Sequence, residues 1–432
     1  MKLWQKDYKA NEAIVNFCVG EDYLLDQKLV GYDVKATIVH CAMLKKIRIL
    51  NKKEFTKIKN CLKEIIKLTQ KKGFVITKTQ EDCHTAIENY LVKQLGVLGK
   101  KIHTGGSRND QVLTALRLYA KDKLQQIAYA TVKLAQTILK FAQKHEFVPM
   151  PGFSHTRRAM PSSIGLWAGA FTESLIDDLY LLKTAYDLNN QCPLGSAAGF
   201  GVSLPIDRDF TTKMLGFKKT QKNTLYVQNS RGKFESVIID ALSQIMLDLN
   251  RLASDLIYFT NEANGYFILP KEFCTGSSLM PNKQNPDGLE IVRANYKVVL
   301  GCVFTIKNLL ADLLSGYNRD YQLAKEPFIK AIEITLSSLE IMVLVISSLI
   351  VNRKKCGDAI TPDMFATDGV MELVNKGIPF RKAYSRVAKE LKQLKPQDSL
   401  KNIKIKTHIG APGNLGLNNL KEKLAIIAND FT

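Results

Sequence analysis

The sequence lacks the features that mark secreted, membrane-spanning and zinc-binding proteins. Its eight cysteines are scattered and form no C-x-x-C pair, so neither a disulfide scaffold nor a metal cluster is indicated. Residues 1–11 are polar and contain no apolar signal segment. The most apolar run, residues 341–351, is too short to span a bilayer. We therefore expect a protein without a membrane partner that works in the cytoplasm.

Glycine, proline and acidic residues are also scarce. With 26 glycines and 13 prolines in 432 residues the chain is not collagen-like, and with 46% hydrophobic residues it is not disordered. Lys and Arg number 61 against 41 Asp and Glu, a net charge of +20. The lysines are interspersed with acidic residues, and no nucleic-acid-binding motif is present. A solvated lysine-rich surface is therefore favoured over a nucleic-acid partner.

Long stretches without glycine or proline predict an all-α fold. Apolar residues recur at helical spacing in five stretches, one of them interrupted only by Gly301: residues 107–148, 171–192, 233–264, 289–315 and 328–356. Five long helices with core-facing stripes predict a central bundle. Shorter helices are expected around 33–48, 53–71 and 82–95. The predicted organisation is an N-terminal helical domain (1–106), a central long-helix bundle with active-site loops (107–358) and a small C-terminal helical domain (359–432).

Four polar clusters stand at the joints between these helices. They are HTGGSRNDQV at 103–112, MPGFSHTRRAMP at 150–161, TGSSLMPNKQNPD at 275–287 and YNRDYQLAKE at 317–326. In the first cluster Ser107, Asn109 or Asp110 could cap the following helix. Capping does not explain Arg108. An arginine beside the N–H groups of a helix N-terminus forms an arrangement that favours carboxylate binding.

The other clusters carry groups suited to proton transfer or binding. His155 follows Ser154 after a Pro-Gly turn and could act as an acid or base, although a lone histidine is more often structural. The third cluster is either a set of turns or a mobile lid, in which Ser277 would need Lys283 or a helix dipole to lower its pKa. The fourth is either a solvated turn or a segment lined on one side by Tyr317, Gln322 and Lys325.

Together these clusters resemble the argininosuccinate lyase family of the aspartase/fumarase superfamily. The superfamily signature G-S-S-x-M-P-x-K-x-N-P stands here as GSSLMPNKQNP, and HTGGSRNDQV is similar to the family's H-T-G-R-S-R-N-D-Q-V. The likeness extends from Lys2 to Gly416. The resemblance implies an all-α fold with a five-helix central bundle. It also implies a homotetramer in which segments of three subunits build each active site.

The implied reaction is the reversible cleavage of argininosuccinate, a small-molecule substrate, into arginine and fumarate, the last step of arginine biosynthesis. A base removes a proton from the carbon next to a carboxylate, and the resulting aci-carboxylate needs cationic and N–H donors around it. An acid then protonates the leaving guanidinium nitrogen. No metal and no organic cofactor is expected.

The resemblance also implies roles for individual residues. Ser277 would be the base, His155 the paired acid or base, Lys283 the group that stabilises both anions, and Glu290 the carboxylate that orients the histidine. The positions implied to bind substrate carboxylates and amides are Arg108, Asn109, Ser154 and Asn285. Those implied to hold the arginine side of the substrate are Tyr317, Gln322 and Lys325.

Several positions depart from the family pattern. Gly106 stands where the family has arginine, and Thr156 and Arg157 replace Leu-Gln after the histidine. Gln284 replaces a lysine, and Cys18 aligns loosely with a substrate-binding serine. Two alternatives follow: a sister lyase acting on another fumarate adduct, such as adenylosuccinate or aspartate, and a catalytically weakened structural homologue, for which the missing cation at position 106 argues weakly.

Overall fold

A computed structural model describes residues 11–431, so the expected start of the family likeness at Lys2 lies outside the described residues. Five helices precede the long ones: α1 (Glu12–Val19), α2 (Asp22–Asp26), α3 (Val30–Lys46), α4 (Lys52–Gln70) and α5 (Cys83–Leu95). A capping box at Asn51 and Glu54 starts α4, and the Asp82 side chain caps α5. The three helices predicted in this region are confirmed to within a few residues.

The next helices include the five long ones that the sequence predicts. They are α6 (Arg108–Lys144), α7 (Ile164–Asn189), α8 (Arg208–Leu215), α9 (Thr224–Asn229), α10 (Lys233–Thr260), α11 (Asp287–Leu309) and α12 (Lys325–Ser348). Helices α6, α7, α10, α11 and α12 match the glycine- and proline-poor stretches. The all-α fold class is confirmed. Helix α7 begins at Ile164, seven residues before the predicted stretch. Glycines near its start do not interrupt the helix, because packing against its neighbours stabilises it.

Shorter elements complete the described chain. The C-terminal helices are α13 (Arg353–Asp358), α14 (Ala366–Asn375), α15 (Phe380–Lys389), α16 (Ser399–Lys404) and α17 (Leu417–Asn429). Three two-stranded sheets pair β1 (Pro149–Ser154) with β2 (Arg157–Ser163), β3 (Gln191–Cys192) with β4 (Lys219–Thr220), and β5 (Phe267–Ile268) with β6 (Ile350–Val351). None of the helices in residues 11–431 combines the length and apolar character needed to cross a membrane.

The described chain divides into two compact units, to which all five long helices contribute. Unit 1 comprises residues 11–126, Leu182–Ala241 and Leu300–Ile332. Unit 2 comprises Ile127–Leu181, Leu242–Val299 and residues 333–431. The predicted three-domain division at residues 106 and 358 remains a prediction.

Each unit has its own buried core. In unit 1 a cluster joins α3 to the start of α6 and the β3–β4 region, with Ala36, Val39, Leu118, Cys192 and Leu215 among its members. In unit 2 aromatic rings from α7, α10 and β5 pack edge-on or tilted around Phe259, which lies 5.9 Å from Trp167 between ring centroids. Such aromatic contacts favour a fixed geometry for the segments that carry them.

Candidate active site

A polar pocket in unit 1 gathers five of the residues that the resemblance singled out. Arg108 and Asn109 come from the start of α6, and Lys325 from the start of α12. The remaining two, Tyr317 and Gln322, precede α12. Segments separated by about two hundred residues in the sequence therefore converge in one pocket.

A local hydrogen-bond network fixes the start of α6. It also shows which of Ser107, Asn109 and Asp110 cap the helix. Ser107 Oγ accepts a hydrogen bond from the Asn109 N–H at 3.2 Å, and Asp110 Oδ1 accepts one from the Ser107 N–H at 2.9 Å. The other oxygen of Asp110 accepts from the N–H groups of Gly195 and Ala197. Burial raises the pKa of Asp110 to about 6. Ser107 and Asp110 are thus structural residues, which leaves Arg108 and Asn109 to line the pocket.

The positive charge of Arg108 is balanced by two acidic residues just before and at the start of α5. Its guanidinium lies 3.4 Å from a carboxylate oxygen of Glu81 and 3.4 Å from one of Asp82. It also donates to the hydroxyl of Thr85. The arginine is therefore held in place before any substrate carboxylate arrives.

Lys325 forms the most deeply buried ion network of the pocket. Its ammonium group contacts Asp22 at 2.8 Å and also pairs with Asp26. Only 2% of the Lys325 side chain and none of Asp26 is exposed. Burial alone would raise the pKa of Asp26, but the charge of Lys325 lowers it. For Asp22 the effect of burial is the larger one, and its pKa is raised. Both carboxylates raise the pKa of Lys325 despite its burial, so the lysine stays charged.

Gln322 and Tyr317 are held by neighbours that sequence reasoning did not identify. Gln322 and Arg319 both donate to the backbone carbonyl of Cys18, at 3.0 and 2.8 Å. This contact holds the corner between α1 and α2 beside Gln322, and the loose alignment of Cys18 with a substrate-binding serine stays a prediction. The Tyr317 ring lies beside the guanidinium group of Arg231.

One buried group next to the pocket has side chains that metals prefer. Asp26, Cys83 and His84 offer three ligand atoms within 4.8 Å of one another. Protein groups already engage two of them: Lys325 pairs with Asp26, and Asp33 pairs with His84. Although burial favours the neutral ring, Asp33 raises the pKa of His84. The arrangement is that of a buried ion network, and a bound metal ion would have to displace the lysine.

In unit 2, Ser154 and His155 lie at the tip of a β-hairpin, where the sequence had predicted only a turn. β1 and β2 pair in antiparallel fashion up to Ser154 and Arg157, which leaves His155 and Thr156 as the two turn residues. Both have positive φ angles, 52° and 60°, as a two-residue hairpin turn requires. Such a conformation is costly for a β-branched threonine, so the pairing of the two strands must hold it.

The hairpin was missed because its sequence contains prolines and a glycine and shows no alternating pattern. Phe153 attaches it to the core of unit 2, since its ring lies 5.5 Å from Tyr258 and 5.7 Å from Phe259. Ser154 and His155, the next two residues, are exposed. The anchored aromatic residue therefore presents the serine and the histidine on the surface of unit 2.

The signature loop forms a closed, exposed turn in the same unit. Thr275 and Asn285 exchange backbone hydrogen bonds of 2.9 and 2.8 Å, which close the loop at its base. Within it Ser277 Oγ accepts hydrogen bonds from the N–H groups of Leu279 and Met280, at 3.3 and 3.0 Å. N–H donors favour a negatively charged oxygen over a neutral hydroxyl. Lys283 is exposed.

The structure groups the predicted residues into two sets. The five pocket residues belong to unit 1, and unit 2 holds the remaining six: Ser154, His155, Ser277, Lys283, Asn285 and Glu290. Within residues 11–431 no side-chain hydrogen bond or ion pair joins the four proposed catalytic residues, His155, Ser277, Lys283 and Glu290, to one another. Glu290 is exposed on the first turn of α11.

Comparisons with known proteins agree with the motifs. A family model described as Lyase matches residues 16–301. An argininosuccinate lyase of Thermotoga neapolitana is 49% identical over 90% of this chain and 98% of its own length. That of Sorangium cellulosum is 39% identical over 98% of both chains.

Solved structures share the fold at lower identity. EDDS lyase in complex with formate superposes with a TM-score of 0.82 at 22% identity, covering 98% of this chain and 91% of that chain. A class II fumarase from Schistosoma mansoni gives 0.75 at 16% identity, covering 92% and 96%. Because the two argininosuccinate lyases above are 49% and 39% identical over at least 90% of this chain, the chain belongs to the argininosuccinate lyase family.

Proposed function

We propose that this chain cleaves argininosuccinate to arginine and fumarate by β-elimination, with Ser277 as the base. The observation that carries the proposal is the pair of backbone N–H groups on Ser277 Oγ. A serine hydroxyl is a weak base until its anion is stabilised, and two N–H donors supply part of that stabilisation. Lys283, six residues further along the same loop, adds a positive charge once the loop closes over substrate.

The other residues divide the remaining steps. The abstracted proton comes from the carbon next to a substrate carboxylate, and the charge moves into that carboxylate. Asn285 and Ser154 in unit 2, and Arg108 and Asn109 in unit 1, supply donors for the substrate carboxylates. His155, oriented by Glu290, protonates the leaving guanidinium nitrogen. Tyr317, Gln322 and Lys325 hold the arginine half.

We further propose a homotetramer in which different subunits supply these two sets of residues. One exposed face of α11 supports self-association, since its residues follow the 3–4 spacing of a helix–helix contact: Ile291, Ala294, Val298, Gly301 and Thr305. Ile291 is 61% and Val298 38% exposed. Small and apolar residues in such a row allow the close approach of a partner helix.

The tetramer is tested by light scattering during gel filtration. The wild type should run as a tetramer, whereas Val298→Glu should dissociate and lose activity. The matched control is Lys140→Glu, an exposed position on α6, which should leave the assembly intact. An active Val298→Glu monomer would contradict the proposal.

The reaction itself is tested by the absorbance of fumarate. The purified protein should release fumarate from argininosuccinate and not from adenylosuccinate or aspartate. Fumarate from either of the latter would indicate a sister lyase, and none from any substrate would indicate a structural homologue. We also place the enzyme in the cytoplasm, where its eight free cysteines would stay reduced.

A further inference from the structure

Arg231 is a buried cation of the unit 1 pocket that neither the motifs nor the resemblance assigned. It stands two residues before α10 and is 4% exposed. Its guanidinium carbon lies 5.2 Å from the ring centroid of Tyr317. Across the part of the chain that the structure describes, this guanidinium enters no ion pair or hydrogen bond, and its buried Nε has no partner.

The other cations of the pocket differ from Arg231 in having direct ion-pair partners or contact with water. Arg108 pairs with two acidic residues, and so does Lys325. Arg319 donates to a backbone carbonyl and is exposed to water. Asp22 and Glu235 are both within electrostatic reach of Arg231 but more than an ion-pair distance away, and burial raises the pKa of each.

We propose that Arg231 binds the α-carboxylate of the arginine half of the substrate; this rests on the proposed function. A buried charge without a partner is costly, and an anionic ligand would remove that cost. The Tyr317 ring restrains the guanidinium from one side, and a planar guanidinium suits two-point binding of a carboxylate. Tyr317 belongs to the set that holds the arginine half, so the carboxylate of that half is the anion within reach.

Calorimetric titration with arginine and with agmatine, which is arginine without its carboxylate, tests the assignment on the full-length protein. The wild type should bind arginine about ten- to a hundredfold more tightly than agmatine. Arg231→Gln should weaken arginine binding by about the same factor and leave agmatine binding unchanged. Arg231→Lys should fall between, because it keeps the charge but loses the planar two-point contact.

Arg319→Gln is the matched control, since it removes a cation that lines the same pocket. This variant should keep the wild-type preference for arginine over agmatine. The proposal is overturned if the wild type binds the two ligands equally, or if Arg231→Gln weakens both by the same factor. The wild-type comparison decides even if the variant fails to fold. Because binding needs no turnover, a failed fumarate assay would be distinguishable from a failed assignment of Arg231.

Discussion

The pocket of unit 1 and the reactive segments of unit 2 are built in opposite ways. In the pocket, Lys325 and Arg108 are held by carboxylates before any ligand is present. In unit 2, His155 and Lys283 are exposed on a hairpin tip and a loop, without a side-chain partner among the described residues. The charged side chains of the pocket are held in place before a ligand binds, whereas the groups proposed for proton transfer have no such support among the described residues.

This contrast predicts which substitutions damage the fold and which damage only the chemistry. A change in the exposed loop should remove activity and spare stability. A change in the ion network should reduce both.

The largest expected effect is a loss of activity when the signature loop of unit 2 is changed. Ser277→Ala should lower kcat by about 10²–10⁴-fold, the range for loss of a general base, with the unfolding free energy within about 0.5 kcal/mol of wild type. Fumarate release and urea unfolding measure the two quantities. Ser278→Ala, the exposed neighbour, is the control and should remain active. Near-normal activity in Ser277→Ala would remove the serine from the role of base.

The next prediction concerns the ion network in the pocket of unit 1, which Lys325→Met disrupts. It leaves Asp22 and Asp26 buried without their cation, and loss of one partner of a buried pair typically costs about 3–5 kcal/mol. Urea unfolding should report that loss, together with weaker substrate binding. Lys330→Met, exposed on the same helix, should change stability by less than about 0.5 kcal/mol. A Lys325→Met protein as stable as wild type would mean that the network does not hold the pocket.

An acid pair in unit 2, Asp178 and Asp248, sharpens the comparison, because no lysine or arginine forms an ion pair with it within residues 11–431. Burial, followed by the nearby carboxylate of Asp248, raises the pKa of Asp178 to about 8. The folded state therefore prefers protonated Asp178, and stability from this group is complete below about pH 4 and is lost as the pH rises towards 8.

Asp178→Asn should flatten that part of the pH dependence, which we expect to amount to roughly 1–3 kcal/mol. Unfolding free energies between pH 4 and pH 8 provide the measurement. Glu173→Gln, an exposed change on the same helix, should keep the wild-type pH profile. An unchanged profile in Asp178→Asn would show that the pair does not share a proton.

The smallest expected effect concerns the cation missing at position 106. A Cβ there would meet only ordinary contacts, 3.7 Å from the His103 carbonyl oxygen and from His40 Nε2. Gly106→Arg should therefore be tolerated and raise kcat/KM for argininosuccinate by about tenfold, since about 1.36 kcal/mol of transition-state stabilisation has that effect.

Arg157 offers a competing source of the same charge. Kinetics of Gly106→Arg, Arg157→Gln and the double variant separate the two accounts. Improvement only in the double variant would show that the positions are coupled. No improvement in either background would contradict a role for charge at position 106.

The sequence predicted the long helices well, because Gly and Pro punctuate the chain and the apolar spacing is regular. Arg108–Lys144, for example, falls inside the predicted 107–148. The hairpin at Pro149–Ser163 escaped prediction, since its geometry depends on positive φ angles at His155 and Thr156. The residue types at these two positions rarely adopt positive φ angles, so the sequence does not predict them.

The motifs singled out residues that the structure brings into one pocket, but they did not reveal what holds those residues. Lys325 and Asp22 are 303 residues apart in the sequence, so their ion pair exists only through the tertiary fold. Arg231 likewise belongs to no motif used for the prediction. The polar run Glu81-Asp82 before α5 was the available signal for the partners of Arg108.

The central claim is that the two sets of residues meet in sites shared between chains, and mixing two inactive variants tests it most directly. Arg108→Gln, from the pocket of unit 1, and Ser277→Ala, from the signature loop of unit 2, each inactive alone, are dissociated together, reassembled and checked for mixed tetramers. If different subunits supply the arginine and the serine, some sites in the mixed tetramers will contain neither substitution, and fumarate release will return. Confirmed mixed tetramers without any recovered activity would contradict the account.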